Sequence, residues 1–141
     1  MWVRIRLRNP ATKQQQVVSG YANGGFRAGE PRIVLPKQLA ELLGFNPQGG
    51  TLREGEACGG VRLALRELGE VEVKVEVPDR ETPWVSAKAI FVKGEREVLM
   101  SRELMGALRI IPFYSQGKWR LEDDPPDILR EEAAPQFFQT S

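Results

Sequence analysis

The sequence predicts a mostly β chain that closes into a barrel and carries two short α-helices. Apolar and charged residues alternate with a period of two in several short stretches, as on a strand with one dry and one wet face. Asn, Gly and Pro separate these stretches at short intervals. Within residues 1–121 two stretches read as helical, and both are brief. Many short strands with two small helices point to a barrel or sandwich.

Val3, Ile5 and Leu7 alternate with Arg4, Arg6 and Arg8, which predicts a first strand. Asn9-Pro10 breaks it, and Gln15–Ala22 reads as its hairpin partner. The arginines are expected on the wet face of an edge hairpin. Asn23-Gly24-Gly25 is a loop, because adjacent glycines cost too much entropy inside an element. Residues 32–35 predict a short strand. Residues 36–43 predict a short helix, with Pro36 near its first position and Gly44 just past its end. Residues 54–60 are glycine-rich and read as a tip.

Val61, Leu63 and Leu65 alternate with Arg62, Ala64 and Arg66. After Leu68-Gly69, Val71, Val73, Val75 and Val77 alternate with Glu70, Glu72, Lys74 and Glu76. The valines belong in the core and the charges outside. Residues 84–93 and 97–100 read as further strands. Ser101 is placed to N-cap a helix reaching Leu108. Residues 109–113 and Lys118–Leu121 close the pattern as a hairpin across Ser115-Gln116-Gly117.

A chain of 141 residues fits one domain with a core of its own. The expected division is a barrel over residues 1–121 and an acidic C-terminal tail or docking arm over residues 122–141, where Asp124-Pro125-Pro126 interrupts any strand. One or two helical turns are expected within residues 127–134. Ile128, Leu129, Phe137 and Phe138 give this segment apolar side chains with which to dock on the barrel or on a partner subunit.

Cys58 is the only cysteine, which excludes an intrachain disulfide and fits a reducing, cytoplasmic setting. With no histidine in the chain, every His-based triad, every Cys/His nucleophile pair and most catalytic zinc sites are excluded. No cofactor or metal is expected. The charged first residues are followed by no apolar region of the signal-peptide kind, and no apolar run reaches the ~18–20 residues of a membrane span. A net charge of +1 argues against a dedicated nucleic-acid binder.

The chemistry turns on an ordered set of segments. Gly20-Tyr21-Ala22-Asn23-Gly24-Gly25-Phe26 is followed by Ile33-Val34-Leu35-Pro36 and by Leu39-Ala40-Glu41-Leu42-Leu43-Gly44. Later come Val98-Leu99-Met100-Ser101-Arg102-Glu103-Leu104-Met105, Leu108-Arg109-Ile110-Ile111 and Gly117-Lys118-Trp119-Arg120-Leu121. In order and spacing, from about residue 2 to residue 121, the chain resembles the retropepsin-like aspartic proteases, most closely their microbial branch with a DTGF box. The resemblance implies a closed retropepsin-like (acid protease) barrel and a homodimer whose cleft lies across a two-fold axis. It places Asn23, Gly24, Gly25 and Phe26 at the floor of the cleft, and Ala57, Cys58, Gly59 and Gly60 on the flap.

The sequence departs from the family at the reacting position. Asn23 stands where the resemblance places the catalytic aspartate, and Gly24 where it places threonine. Residues 27–32 lengthen the following loop, and Ser101 stands in place of a glycine. In such a dimer two carboxylates share one proton, one acting as base on water and the other as acid on the substrate carbonyl. An asparagine amide does neither. The resemblance therefore implies a degenerate protease domain that is inactive as encoded and binds an extended peptide or a protein partner. An active aspartic protease is the alternative, through deamidation of Asn23 ahead of the unhindered Gly24 or through another carboxylate such as Glu30. Read only as a local pattern, Asn23-Gly24-Gly25 is a tight turn.

Residues 32–45 also resemble the strand–Pro–helix–Gly core of AbrB-type swapped-hairpin DNA-binding domains, which read DNA from a dimeric basic β platform. That match covers only the middle third of the chain. A lone Cys58 without a neighbouring His reads as inert.

Overall fold

The computed structural model describes residues 1–56 and 62–139. Among the described residues, ten strands and two short helices run in the order β1 (Trp2–Arg8), β2 (Gln15–Ala22), β3 (Arg32–Val34), α1 (Lys37–Leu42), β4 (Thr51–Glu56), β5 (Arg62–Val75), β6 (Val85–Phe91), β7 (Val98–Met100), α2 (Arg102–Ala107), β8 (Ile110–Phe113), β9 (Lys118–Leu121) and β10 (Arg130–Glu131). A single 3-10 turn at Tyr114–Gln116 joins β8 to β9.

Six strands close a ring in the order β1-β2-β7-β3-β6-β5, and β5 pairs back to β1. Most pairs are antiparallel, but β2 runs parallel to β7 and β3 parallel to β6. The expected closed barrel with two short helices is therefore present. β4 extends from β5 as a hairpin arm outside the ring, and β8, β9 and β10 form a separate three-stranded sheet.

Period-two alternation does the work the sequence promised. Val3, Ile5 and Leu7 of β1 are fully buried, as are Val71 and Val73 of β5, with Val75 nearly so. Ile5 sits opposite Val75 and Leu7 opposite Val73, so the two strands fill the barrel with facing pairs. Val77 lies past the end of β5 and packs partly buried against the same core. Each such side chain contributes about 1.5–3 kcal/mol of burial. The alternate residues meet outside, where Arg6 pairs with Glu76 and Arg8 with Glu72, each at 2.9 Å. Because β1 is bonded on both sides, its arginines do not lie on an edge as the sequence suggested; they tie adjacent ring strands together.

The two alternating stretches read on either side of Leu68-Gly69 run, over residues 62–75, as one 14-residue strand, β5, with a shift of register between Glu67 and Gly69. The shift lets the first half of β5 pair with β4 and the second half with β1. Gly50 makes the close approach this requires: its φ is +71°, and a Cβ there would stand 2.0 Å from the Glu67 carbonyl oxygen. Pro36 is the N-cap of α1, not its first residue. The Leu43 carbonyl beyond the helix accepts hydrogen bonds from the Asn9 Nδ2 (2.8 Å) and the Thr12 hydroxyl (3.2 Å), so the β1–β2 turn caps α1 from across the chain.

The segment after β9 is a strand-bearing arm, not a helix. The chain makes a single turn after Asp124, with the Ile128 amide donating to the Pro125 carbonyl at 3.0 Å, and Arg130 and Glu131 then add to β9 opposite Trp119 and Lys118. Farther on, the Ala133 amide donates to the Trp2 carbonyl at 2.9 Å, and the Phe138 amide donates to the Arg96 carbonyl at 2.8 Å. The Trp2 amide donates to Glu132, and the Ser19 amide to Gln136, each at 2.8 Å. The acidic groups of the arm pair with Arg80, Arg130 and Lys118, not with the arginines of β1. No helix of the described residues is long and apolar enough to cross a membrane.

Candidate functional site

The loop that leaves β2 is held by main-chain bonds from two directions. Parallel pairing of β2 with β7 sets Ala22 beside Met100, and the Asn23 amide continues toward the Met100 carbonyl at 3.4 Å. The Phe26 amide then closes a turn onto the Asn23 carbonyl at 3.0 Å, and the Arg102 amide donates to the Phe26 carbonyl at 2.8 Å. The start of α2 thus grips the far side of the loop. Within it the Asn23 side-chain oxygen accepts the Gly25 N–H at 3.0 Å, an Asx turn that points the amide along its own loop. Asn23 and Phe26 are half-buried, whereas Gly24 and Gly25 are exposed. A Cβ at Gly24 would stand 3.3 Å from the Tyr114 hydroxyl, so the β8–β9 connection borders this loop.

Ser101 is the joint of the site. Its hydroxyl accepts the Leu104 amide at 3.2 Å as N-cap of α2 and the Arg32 amide at 3.0 Å. The same hydroxyl lies 3.4 Å from the Glu30 carbonyl, to which it donates. Its own N–H donates to the Arg32 carbonyl at 3.0 Å. One fully buried hydroxyl therefore locks α2, β3 and the long loop over residues 27–32 together. We expect Ser101→Ala to cost about 2 kcal/mol in urea unfolding, from a lost cap and an unpartnered Arg32 N–H. Ser101→Thr, which keeps the oxygen, should recover most of it. An alanine variant as stable as the wild type would show that the hydroxyl does not hold the joint.

The acidic side chains near the loop are already engaged. Glu30 bonds Arg32 at 3.0 Å and Lys88 at 2.9 Å, and these two cations hold its carboxyl below the usual range. Glu103 accepts the Ala28 amide at 3.0 Å, and backbone N–H donors hold its carboxyl down as well. Neither carries a proton to give near neutral pH. Among the described residues no three His, Cys, Asp or Glu side chains gather as a metal cluster would. Ala57, Cys58, Gly59 and Gly60, expected as the flap, lie outside the described residues. The strands leading to and from those residues, β4 and β5, pair as an antiparallel hairpin, and residues 54–56, expected within the tip, belong to β4.

Sequence reasoning found the Asn23 loop and the Ser101 cap. It missed that the loop is gripped by Arg102 and that the Asn9 turn braces α1, since neither contact has a local sequence signal. The segment over residues 32–45 does not form a swapped hairpin. Both edges of β3 are bonded within the chain, to β6 and β7, and no edge remains for exchange with a partner.

No protein-family model matches the chain, and no curated protein matches it. Among solved structures it is similar to the retroviral protease-like domain of Ddi1 from Leishmania major. The TM-score is 0.48 at 10% identity, over 99% of this chain and 96% of that one. The assignment of a closed barrel stands on the strand pairings given above.

Proposed function

We propose that this chain is a retropepsin-like domain that binds an extended peptide or a protein partner and does not cleave it. One observation carries the reading: the residue at the head of the loop leaving β2 is an asparagine whose side-chain oxygen is committed to the Gly25 N–H. An amide holds no proton to exchange in the working pH range, so the shared-proton chemistry of a carboxylate pair has nothing to run on. The acids of the adjoining loop and helix, Glu30 and Glu103, are held by Arg32, Lys88 and the Ala28 amide.

Two chains related by a two-fold axis bring their Asn23 loops face to face, and the cleft lies between them. An extended peptide adds there by main-chain hydrogen bonding, with side-chain pockets selecting among sequences. Binding of that kind does not depend on the missing carboxylate.

A mixed peptide pool tests this. Freshly prepared protein, shown by sedimentation to be dimeric, should retain members of the pool and release them uncut over a day at pH 4 and pH 7. New termini in the pool, with intact mass showing Asn23 unconverted, would assign the chemistry to another residue and end this reading. A protein that stays monomeric at micromolar concentration would end the dimeric cleft.

A further inference from the structure

Beyond β10 the C-terminal arm crosses the outside of the β1–β2 pair. On one side the Ala133 amide donates to the Trp2 carbonyl at 2.9 Å, and the Trp2 amide donates to the Glu132 carboxylate at 2.8 Å. On the other side the Ser19 amide donates to the Gln136 side-chain oxygen, and the Phe138 amide to the Arg96 carbonyl, each at 2.8 Å. Val3 and Val18 point into the core, so their neighbours Trp2 and Ser19 point out of it. Both are nonetheless buried, and the arm accounts for it. The Phe137 ring stands edge-on to Trp2 at 5.7 Å, and Trp2 stands edge-on to Tyr21 at 5.3 Å.

This crossing ends beside the Asn23 loop. Trp2 lies opposite Tyr21, and Tyr21 beside Leu99, so the three form one transverse row on the outer face. Ala22 and Met100 fill the core, and the Asn23 amide continues the β2–β7 pairing past them. Asn23 therefore follows Tyr21 on the same face, and the row borders the cleft of the proposed function. Tyr21 and Leu99 are half-buried.

The two ends of the arm are held unequally. Its base carries the Arg130–Asp124 pair and the pairing of β10 with β9. Its tip, residues 136–138, is uncharged and has three hydrogen bonds: the two at Ser19 and Arg96 given above, and one from Arg96 Nε to the Phe138 carbonyl at 3.3 Å. Phe138 packs partly buried against the core, whereas Phe137 leaves 55% of its surface in the open. Between base and tip Ala134 and Pro135 are exposed, and Pro135 has no N–H to tie down. A segment with so few buried contacts opens far below the energy of global unfolding.

We propose that the tip of the arm is a releasable cover on the flank of the peptide cleft. With Phe137 on Trp2, the row from Trp2 to Leu99 is closed to the apolar side chains of a bound partner. Release about Ala134 and Pro135 opens it. The inference rests on the cleft reading above and adds to it an inhibitor carried by the same chain. Apparent affinity for a partner falls in proportion to the fraction of chains whose tip is off.

Two measurements on the full chain test this. In native-state hydrogen exchange the Ser19 and Phe138 amides should exchange at least tenfold faster than the amides of the ring strands. Exchange no faster than the ring would mean that the tip opens only with the barrel, and would overturn the proposal. Protection of Ser19 that rises with protein concentration would give the tip to a second copy, and would overturn it too. In the second measurement Phe137→Ala should retain at least fivefold more of the mixed peptide pool than wild type, and Phe137→Tyr, which keeps the ring, should match wild type. The side chain is exposed, and circular dichroism checks that the variants fold. Peptides retained by Phe137→Ala should shift the Tyr21 and Leu99 amides in NMR spectra, and unshifted amides would overturn the proposal. Equal retention by wild type and Phe137→Ala would end this inference alone. Retention by neither would end the cleft reading and the inference with it.

Discussion

On the proposed reading, Asn23→Asp made together with Gly24→Thr should give this chain a weak peptidase activity. The first change is nearly isosteric and keeps the oxygen that accepts the Gly25 N–H, so the turn should survive. The second adds a side chain where the backbone is not in the left-handed region and where the nearest obstacle is the Tyr114 hydroxyl at 3.3 Å. Tyr114 is 56% exposed and has room to yield a few tenths of an ångström. The added threonine hydroxyl can brace the loop.

In a dimer the variant sets two carboxyls face to face, and mutual repulsion keeps one of them protonated to a higher pH than the other. That arrangement supplies an acid and a base from identical residues. General acid–base catalysis contributes about 10²–10⁴-fold, which is the gain expected over the wild-type background on a fluorogenic peptide. The rate should be greatest in acid and fall as the second proton is lost, because two ionised carboxylates leave no acid for the leaving group. A double variant that dimerises and binds peptide but shows no cleavage between pH 3 and 7 would mean that the carboxylates are not the only missing part. Wild type that acquires the same activity on storage, with a mass gain at Asn23, would identify deamidation as a natural route to the same pair.

The parts of the fold that were legible share a feature: their signal is local. Val71, Val73 and Val75 face the core because strand geometry turns every second side chain the same way, and no distant residue changes that. Ser101 announces α2 because a cap sits three residues from the amide it accepts. The missed parts depend on distant partners. β4 reads Thr-Leu-Arg-Glu-Gly-Glu, with its first four residues exposed on both faces, so burial writes no alternation into it. Its existence is settled by pairing with β5. β5 is continuous through Leu68-Gly69 because it carries Leu68 as one extra residue opposite an unbroken β6, whereas a glycine in isolation reads as a break.

The same division holds at the site. Asn23-Gly24-Gly25 is visible as a loop, but the grip of Arg102 and the hydroxyl bridge from Ser101 to Arg32 join positions about 70 residues apart. The arm was visible as acidic and apolar, and its docking site was not. That required Trp2, Ser19 and Arg96 to arrive on one side of the barrel.

Arg130→Ala should release the arm and cost the barrel about 3 kcal/mol, the scale on which removal of one partner strands a buried charge. Asp124 is 6% exposed, and its carboxylate receives Arg130 twice, at 2.8 and 2.9 Å, together with the Leu121 amide at 2.8 Å. The other face of the Arg130 guanidinium holds Asp79 at 2.7 Å, and Arg80 extends the network to Asp123, also at 2.7 Å. Without Arg130 the Asp124 carboxylate keeps one N–H donor and an Arg80 nitrogen at 3.8 Å, too little for a group so far from water. For a chain of this length the melting temperature should fall by roughly 10 °C. Asp124→Asn should lose less, because a neutral amide is cheaper to bury than an unpaired carboxylate. The network also fixes the response to acid. Arg130 and Arg80 hold Asp124 and Asp123 below the ordinary carboxylate range, Asp123 at about 2. Groups depressed in the folded state stabilise fully above the unfolded value near 4, and that stabilisation disappears as pH falls through the folded values. Wild type should therefore lose stability between about pH 4 and pH 2 more steeply than Asp124→Asn. Parallel acid-unfolding curves for the two proteins, or an Arg130→Ala variant that melts with wild type, would show that the arm is held by its apolar and main-chain contacts alone.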